Sequence, residues 1–211
     1  MIKRVLIANR GEIAIRIAKT ARRMGVATVA VYSDADKGSL HVEAADEAYH
    51  IGDGLGPVAA YLNIEEIIRV AKMSGADAIH PGYGFLSENA KFSEIVNKHG
   101  IKFIGPNAEI ISMMGDKIEA KRIAKKNGLP VIEGSESGVK SLSEAKSICK
   151  EIGYPVLIKA AGGGGGKGMK IVRKLEDFEE LFLTAKLEAK KFFNNDEVYI
   201  EKFFENPRHI E

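Results

Sequence analysis

The spacing of apolar residues divides the chain into two differently patterned halves. In the first half, short β-branched runs alternate with helical patterns, and four runs are predicted to be strands: residues 5–8, 28–32, 77–80 and 102–104. Strands that alternate with helices are typical of a parallel sheet covered by helices. The first half is therefore predicted to be an α/β unit with a parallel sheet.

The predicted helix between the first two strands is amphipathic. Its apolar positions are Ile13, Ile17, Ala21 and Met24, and its charged positions are Glu12, Arg16, Lys19 and Arg23. At 3.6 residues per turn these two sets lie on opposite faces. We expect the apolar face to pack on the sheet and the charged face to contact water.

The second half has a different pattern. A charged helix is predicted at 116–127, ending at Gly128, and a polar stretch rich in Ser and Gly follows at 135–143. Beyond it we predict strands at 155–159 and 168–172 joined by a glycine run, a helix at 175–193 and a last strand at 198–202. The pattern changes within 106–116, and we divide the domains there, as 1–114 and 115–211.

Composition narrows the class of protein. The 211 residues include 31 basic and 29 acidic side chains, so no general field attracts the chain to nucleic acid or an anionic membrane. No apolar run reaches membrane-spanning length, and no secretion signal precedes the first predicted strand. One cysteine forms no internal disulfide, which favours a reducing compartment. We therefore expect a cytoplasmic protein, without a membrane or nucleic-acid partner.

The most informative segment is the glycine run at 161–168, AGGGGGKG. Consecutive glycines let backbone amides surround a multiply charged anion without Cβ atoms in the way. A flexible linker is the alternative, but linkers usually connect domains, and this run connects two apolar strands of a predicted hairpin. The run also differs from a Walker A loop, because Ala161 stands at the first glycine position and Gly168 at the hydroxyl position. We interpret it as a flap over a triphosphate.

Other candidates are weaker when they are taken singly. Lys159 ends an apolar strand, where an ammonium group needs an anion unless it reaches solvent. Lys117 fits a site or a solvated helix, and Phe203 and Phe204 fit an adenine platform or a plain core. A lone histidine such as His209 is more often an ordinary residue than a ligand.

Two motifs lie in the first half. The segment at 9–12, NRGE, opens a helix where dinucleotide folds bind pyrophosphate, and Asp34 and Asp36 stand near the position of a ribose-binding acid. Only one fingerprint glycine is present, which favours a structural reading. The segment 80–89 is a glycine-rich turn after a strand, with Ser87 as a candidate helix cap, and it suits a ligand loop and a structural turn equally.

Five segments, in order and spacing, resemble the biotin carboxylase family. They are 7–14 (IANRGEIA), 80–89 (HPGYGFLSEN), 114–117 (MGDK), 159–169 (KAAGGGGGKGM) and 201–211 (EKFFENPRHIE). The resemblance covers essentially the whole chain. It implies an α/β fold class: a Rossmann-like N-terminal (pre-ATP-grasp) domain at 1–114, followed by an incomplete ATP-grasp domain at 115–211 with a glycine-rich lid.

The resemblance also implies an activity. In this family ATP drives the carboxylation of biotin by bicarbonate through carboxyphosphate, and Mg²⁺ or Mn²⁺ neutralises the phosphates. Implied partners are a biotin carboxyl carrier protein or domain, a carboxyltransferase component, bicarbonate and a second copy in a homodimer. A mitochondrial matrix location applies if the source is eukaryotic.

Site residues follow from the matching positions. Lys117 and Lys159 are implied to hold phosphates, Gly165 and Gly166 to close on them, and His209 to contact the ribose. Residues implied on the nucleotide side also include Met169, Glu201, Lys202, Phe203 and Phe204, of which 201–204 seat the adenine. Tyr83 and Gly84 are implied on the biotin side. Metal ligands and catalytic residues come after Glu211 in the family, so none is named here.

Some features depart from the family or leave alternatives open. Ala161 replaces a serine of some relatives, and Phe203-Phe204 replaces the usual Tyr-Leu. We expect the 211 residues alone to be inactive, and the strand at 198–202 to leave an unpaired sheet edge. Another ATP-grasp enzyme, such as a carboxylate-amine ligase, shares the flap and lysines but is disfavoured by segments 9–14 and 80–89. A non-catalytic nucleotide-binding remnant is the third reading.

Overall fold

The computed structural model describes residues 1–135, 137–161 and 168–208, with Lys117 and Ile118 described by their backbone alone. The predicted site residues Gly165, Gly166 and His209, and the side chain of Lys117, lie outside this part of the chain. Contacts divide the chain into two compact units, unit 1 (Met1–Asp116) and unit 2 (Lys117–Glu211).

Unit 1 is built on a five-stranded parallel sheet in the order β3-β2-β1-β4-β5. The strands are β1 (Arg4–Ile7), β2 (Ala27–Tyr32), β3 (Glu47–His50), β4 (Ala78–His80) and β5 (Lys102–Phe103). The helices are α1 (Gly11–Arg23), α2 (Leu40–Ala44), α3 (Pro57–Leu62), α4 (Ile64–Met73), α5 (Ala90–Lys98) and α6 (Ala108–Gly115). The α/β prediction is confirmed, and each of the four predicted strands forms within one residue of its predicted ends.

Strand β3 and helix α6 of unit 1 were among the elements that were not predicted. Strand β3 reads EAYH and its four residues are all half-buried, so it carries neither a continuous apolar run nor an alternating one. It forms because β2 offers a free edge, with Val29 aligned with Glu47. Helix α6 lies inside the region where the domain division was placed. Its N-cap is Asn107, whose Oδ1 accepts from Ile110 N at 2.9 Å, a signal that the sequence does contain.

Of the predicted apolar face of helix α1, only Ala21 is buried. Ala14, Ala18 and Ala21 are buried, whereas Ile17 is only half-buried and Met24, beyond the last turn, is 72% exposed. The small alanine side chains let the helix approach the sheet closely, so they define the contact even though the isoleucines are more hydrophobic. The four predicted charged positions are exposed, as expected.

Unit 2 contains a three-stranded antiparallel sheet in the order β7-β6-β8. Its elements are α7 (Lys117–Lys126), α8 (Leu142–Ile152), β6 (Val156–Ala160), β7 (Met169–Val172), α9 (Phe178–Phe193) and β8 (Val198–Lys202). The predicted strands and charged helix form, and the predicted helix at 175–193 begins with a 3-10 turn at Leu175–Asp177. Helix α8 was not predicted, although Ser141 caps it by accepting from Glu144 N at 3.2 Å.

The two faces of the unit 2 sheet have different surroundings. Alternate side chains, among them Val156, Ile158, Val198 and Ile200, are buried in a cluster with side chains of α8 and α9. The other side chains point to the opposite face, since successive residues of a strand alternate. We call it the open face, and it consists of Leu157, Lys159, Met169, Ile171, Tyr199 and Glu201.

The prediction of an unpaired edge at β8 is wrong. The backbone N–H groups of Ser135 and Val139 donate to the carbonyls of Ile200 and Val198, both at 2.7 Å, and Lys202 N donates to Glu133 O at 2.8 Å. The polar stretch before α8 therefore covers the edge that the sequence pattern left open. Its serine and glycine content gives no strand pattern, so this pairing is visible only in the folded chain.

Within the described ranges 1–135, 137–161 and 168–208, no helix is long and apolar enough to cross a membrane.

Candidate functional site

The open face has an ion pair at its centre. Lys159 on β6 is opposite Tyr199 on β8 and Met169 on β7, and its Nζ contacts Oε1 of Glu201. The side chains of Lys159 and Glu201 are 26% and 11% exposed. Two charges this far from water require each other, so the carboxylate holds the ammonium group in a defined place. The Lys159 ammonium group is therefore paired with a carboxylate and does not simply extend into solvent.

Apolar and aromatic groups surround that pair. Met169 and Ile171 are 42% and 43% exposed on the neighbouring strand, and Leu157 lies between Ile171 and Glu201. The Lys159 Nζ lies 6.0 Å from the centroid of the Tyr199 ring, and burial raises the pKa of the Tyr199 phenol. A flat apolar surface with one fixed cation suits a purine carrying phosphates.

Three open-face residues were missed in the sequence analysis: Leu157, Ile171 and Tyr199. The signal was available, because positions two apart on one strand share a face and Leu157 is two residues from Lys159. What the sequence did not give was the register that aligns Tyr199 and Met169 with Lys159.

The adenine candidates after Glu201 separate in space. The side chain of Lys202 lies on the helix-covered side, where Nζ donates to the carbonyls of Gly153 and Tyr154, both at 3.1 Å. Phe203 N donates to Pro155 O at 3.1 Å, and the Phe203 ring lies 5.9 Å from the Arg173 guanidinium carbon. Phe204 is 54% exposed. Of the predicted set, Lys159, Met169 and Glu201 share the open face, and the Lys202 side chain does not.

The glycine run joins antiparallel neighbours, as predicted for a hairpin. Ala160 N donates to Gly168 O at 3.1 Å, and Ala161 N donates to Glu197 O at 2.9 Å. Gly168 is buried at φ +70°, and a Cβ there would lie 3.0 Å from that of Ala160. The end of the run at Gly168 is therefore bonded to the last residue of β6, and its start at Ala161 to the chain before β8, while 162–167 lie outside the described residues.

Unit 1 carries its candidate residues where β1 and β4 end side by side. At this point the order of the parallel strands reverses, and such crevices commonly carry ligands. The loop after β4 exposes Tyr83 at 70% and turns at Gly84 with φ +64°. Burial lowers the pKa of His80, and its Nδ1 accepts from Gly82 N at 3.0 Å, as a neutral imidazole does.

One detail of that region corrects the sequence-based prediction. Ser87 does not cap the following helix, because α5 begins after Asn89, whose Oδ1 accepts from Phe92 N at 2.9 Å. The intervening residues form turns, with Ser87 N donating to Gly84 O at 2.9 Å.

The acidic residues after β2 are engaged in contacts within unit 1. The Arg10 guanidinium contacts both carboxylate oxygens of Asp36, and Tyr61 donates its hydroxyl to Oδ2 at 2.8 Å. Arg10 thereby lowers the pKa of the buried Asp36 carboxyl to about 2. Asp34 pairs with His50 at 2.8 Å. These partners favour the structural reading of both residues over a ribose site.

No group of three or more His, Cys, Asp or Glu side chains that is able to hold a metal ion occurs among the residues that the structure describes.

A family model for the N-terminal domain of biotin carboxylase matches residues 1–111, more than half of the chain. The chain belongs to the biotin carboxylase family. A second model, for the ATP-binding domain of the carbamoyl-phosphate synthase L chain, matches residues 116–211.

Individual biotin carboxylases and related enzymes resemble the whole chain. The biotin carboxylase of Haemophilus influenzae is 53% identical over 213 residues, which cover 100% of this chain and 47% of that protein. The pyruvate carboxylase of Staphylococcus aureus is 55% identical over 210 residues, which cover 100% of this chain and 18% of that protein. The chain thus spans about half the length of the former relative and under a fifth of the latter.

Solved biotin carboxylase structures share the fold. A biotin carboxylase–β,γ-ATP complex from Campylobacter jejuni has a TM-score of 0.83 and 47% identity, covering 99% of this chain and 46% of that one. The biotin carboxylase domain dimer of Hydrogenobacter thermophilus 2-oxoglutarate carboxylase, with MgADP, ADP and bicarbonate, has a TM-score of 0.81 and 46% identity. It covers 97% of this chain and 45% of that one.

Proposed function

We propose that this chain supplies the nucleotide-gripping part of a biotin carboxylase, a ligase that carboxylates biotin with bicarbonate at the expense of ATP through carboxyphosphate. The observation that carries the proposal is the open face, an apolar surface with the Lys159–Glu201 pair at its centre, in a chain of this family. The match of 1–111 to the biotin carboxylase N-terminal domain favours this reaction over that of another ATP-grasp ligase.

In the proposed site the nucleotide lies on the open face. The Lys159 ammonium group binds the phosphates, Glu201 holds that group in position, and Met169 packs on the nucleotide. The adenine is seated by 201–204, where the Lys202 side chain, bonded to the carbonyls of Gly153 and Tyr154, leaves backbone groups to make the contact. Three further roles are carried over from the family. Lys117 binds phosphate, Gly165 and Gly166 belong to the lid, and His209 contacts the ribose.

For the second substrate we propose that Tyr83 and Gly84 face biotin. The exposure of Tyr83 and the position of its loop, at the crevice between β1 and β4, support this role. We also propose that residues 1–114 form the Rossmann-like domain and 115–211 the first part of the ATP-grasp domain.

We propose that a divalent metal ion is bound together with the nucleotide. Mg²⁺ or Mn²⁺ neutralises nucleotide phosphates when it is bound, and the described residues offer no three-ligand group for it. Because the chain spans about half of a biotin carboxylase, we propose that the 211 residues alone do not turn over. Proposed partners are a biotin carboxyl carrier, a carboxyltransferase component and a second copy, in the cytoplasm or, for a eukaryotic source, the mitochondrial matrix.

The test uses the natural gene product, whose intact mass is measured first, in an assay of ADP formation with bicarbonate and free biotin. Biotin-stimulated ADP formation supports the proposal. Lys159→Ala is expected to raise the KM for ATP by about 10-fold to 100-fold, the effect of one lost charge-assisted contact. The control is Lys170→Ala, which removes an equally half-buried lysine that pairs with Glu188 on the helix-covered side and leaves this KM unchanged.

Two results would contradict the proposal. If the natural gene product shows no biotin-dependent turnover at any ATP concentration, the proposed carboxylase activity is wrong. Nucleotide binding without turnover would then favour a non-catalytic remnant. If Lys159→Ala and Lys170→Ala change the KM for ATP equally, the open face is not the nucleotide site.

A further inference from the structure

The residues directly after β1 reach the loop that carries Tyr83. Asn9 is 3% exposed, and its Nδ2 donates to Pro81 O at 2.9 Å and to Tyr83 O at 2.8 Å. Its Oδ1 accepts from Arg10 N at 2.9 Å. One side-chain amide therefore uses both of its N–H donors on a single loop, 74 positions further along the chain.

The loop is shaped to fit against that amide. Gly82 has φ +66°, and a Cβ at this position would lie 2.5 Å from Asn9 Nδ2. His80 Nδ1 accepts from the amide of Gly82 on the same turn. The close approach needs a glycine, and it leaves no space between Asn9 and the loop for a ligand or for sideways movement.

Arg10 reaches the other end of the same loop through a chain of contacts. Its guanidinium fork holds Asp36, Asp36 accepts the Tyr61 hydroxyl, and the Tyr61 ring packs on Phe85 with centroids 5.2 Å apart. Phe85 itself has φ +44°, an uncommon conformation for a residue other than glycine, so its packing contact helps to fix it. Asn9 thus holds the backbone of the loop at Pro81 and Tyr83, Tyr61 contacts Phe85, and Gly84 lies between these attachment points.

We propose that Asn9 and Arg10 form a brace that positions Tyr83 and Gly84 for the second substrate, an inference that rests on the proposed function. Both are positioning residues and need not touch substrate. Asn9 sets the backbone of the loop directly, and Arg10 sets its far end through Asp36, Tyr61 and Phe85. The brace lies beside the crevice where the carboxyl ends of β1 and β4 meet, the position at which parallel α/β folds commonly bind ligands.

The first test measures loop order without any assumption about function. Asn9→Asp keeps the size of the side chain but turns two donors into acceptors that face carbonyls. We expect hydrogen exchange of the peptide spanning 80–89 to accelerate at least several-fold. The control Asn107→Asp makes the same change at a helix cap that needs only an acceptor, and it should leave this peptide unchanged. Unchanged exchange in Asn9→Asp overturns the brace.

The second test separates positioning from general damage. In the natural gene product, Asn9→Asp is expected to raise the KM for free biotin about 10-fold while the KM for ATP stays constant, because a displaced positioning group affects only its own substrate. Equal rises in both KM values, or no rise, overturn the role toward biotin. If the unsubstituted gene product shows no biotin-dependent turnover, the proposed function is wrong. The hydrogen-exchange rates of peptide 80–89 still decide whether the brace exists. If Asn9→Asp does not fold, the smaller, uncharged Asn9→Ser replaces it in both measurements.

A separate pair of variants tests the contacts that run from Arg10 through Asp36 and Tyr61 to Phe85. Arg10→Lys loses the two-pronged contact with Asp36 and is expected to accelerate exchange in 80–89 less than Asn9→Asp does. Arg4→Lys makes the same change at the opposite end of β1, where Arg4 pairs with Glu47 and contacts Ser74 O, and should leave that peptide unaffected. If Arg10→Lys and Arg4→Lys show equal hydrogen exchange in peptide 80–89, Arg10 is not part of the brace.

Discussion

At the scale of single residues, the buried acid Asp36 of unit 1 is held by Arg10 and Tyr61. Its pKa is lowered from 3.8 to about 2, first by the hydrogen bond from Arg10 and then, against the opposing effect of burial, by Tyr61. A carboxyl whose pKa is lower in the folded chain stabilises that chain above its unfolded pKa. The stabilisation is therefore complete above about pH 4 and is lost as the pH falls toward 2.

We predict that Asp36→Asn lowers the free energy of unfolding of unit 1 by roughly 2 kcal/mol at pH 7, the equivalent of this pKa shift. The difference between the variant and the parent should shrink as the pH falls from about 4 to 2, and urea unfolding at several pH values measures it. Asp34→Asn is the control, because its side chain is 61% exposed, and we expect less than about 0.5 kcal/mol. A difference that persists at pH 2 would contradict the role assigned to the carboxylate.

At the scale of elements, the segment before α8 and strand β8 behave as one structural piece. Gly134 lies so close to β8 that an added Cβ would be 2.5 Å from Ile200 O and 2.9 Å from Glu201 Cβ. The segment also receives two N–H groups from β8, those of Ile200, bonded to Ser135 Oγ at 3.0 Å, and Lys202. The edge of the sheet that carries Glu201 thus depends on a residue without a side chain.

We predict that Gly134→Ala separates this segment from β8 and lowers the stability of unit 2 by about 1–3 kcal/mol, the usual cost of overpacking. Hydrogen exchange of the Ile200 and Lys202 amides should accelerate accordingly. Gly115→Ala serves as the control, since nothing lies within 4 Å of a Cβ there. Unchanged exchange at both amides would show that the edge is held by other contacts.

At the scale of the whole molecule, each buried apolar cluster lies within one unit. Three clusters belong to unit 1 and one to unit 2 among the residues that the structure describes. Cys149, the single cysteine of the chain, is fully buried in the unit 2 cluster, and burial raises the pKa of its thiol to about 11. Its reaction with a thiol reagent therefore reports the opening of unit 2.

We predict that the two units open independently. Gly134→Ala should accelerate the labelling of Cys149 by about 5-fold to 150-fold, which corresponds to 1–3 kcal/mol, whereas Asp36→Asn should change it less than about twofold. The measurement is the labelling rate at a reagent concentration where rate is proportional to reagent. Equal acceleration by both substitutions would show that the chain opens as one cooperative unit.

The sequence by itself determined the features that depend on near neighbours. Runs of β-branched residues gave four strands of unit 1 and all three of unit 2, because a strand buried on one or both faces needs apolar side chains at fixed spacing. The glycine run between two apolar strands predicted a hairpin. Because successive side chains of a strand alternate between its faces, Leu157 and Lys159 were bound to share a face. The five family segments implied the candidate residues for nucleotide and biotin.

Only the tertiary structure decided which distant groups meet. The register of β6 and β8 paired Lys159 with Glu201, and the same register sent the Lys202 side chain to the helix-covered side. Strand β3 and the segment over β8 have no apolar pattern of their own and form because a neighbouring strand offers unpaired backbone groups. The contacts of Asn9 with Pro81 and Tyr83 connect residues over seventy positions apart, and local spacing carries no information about such pairs.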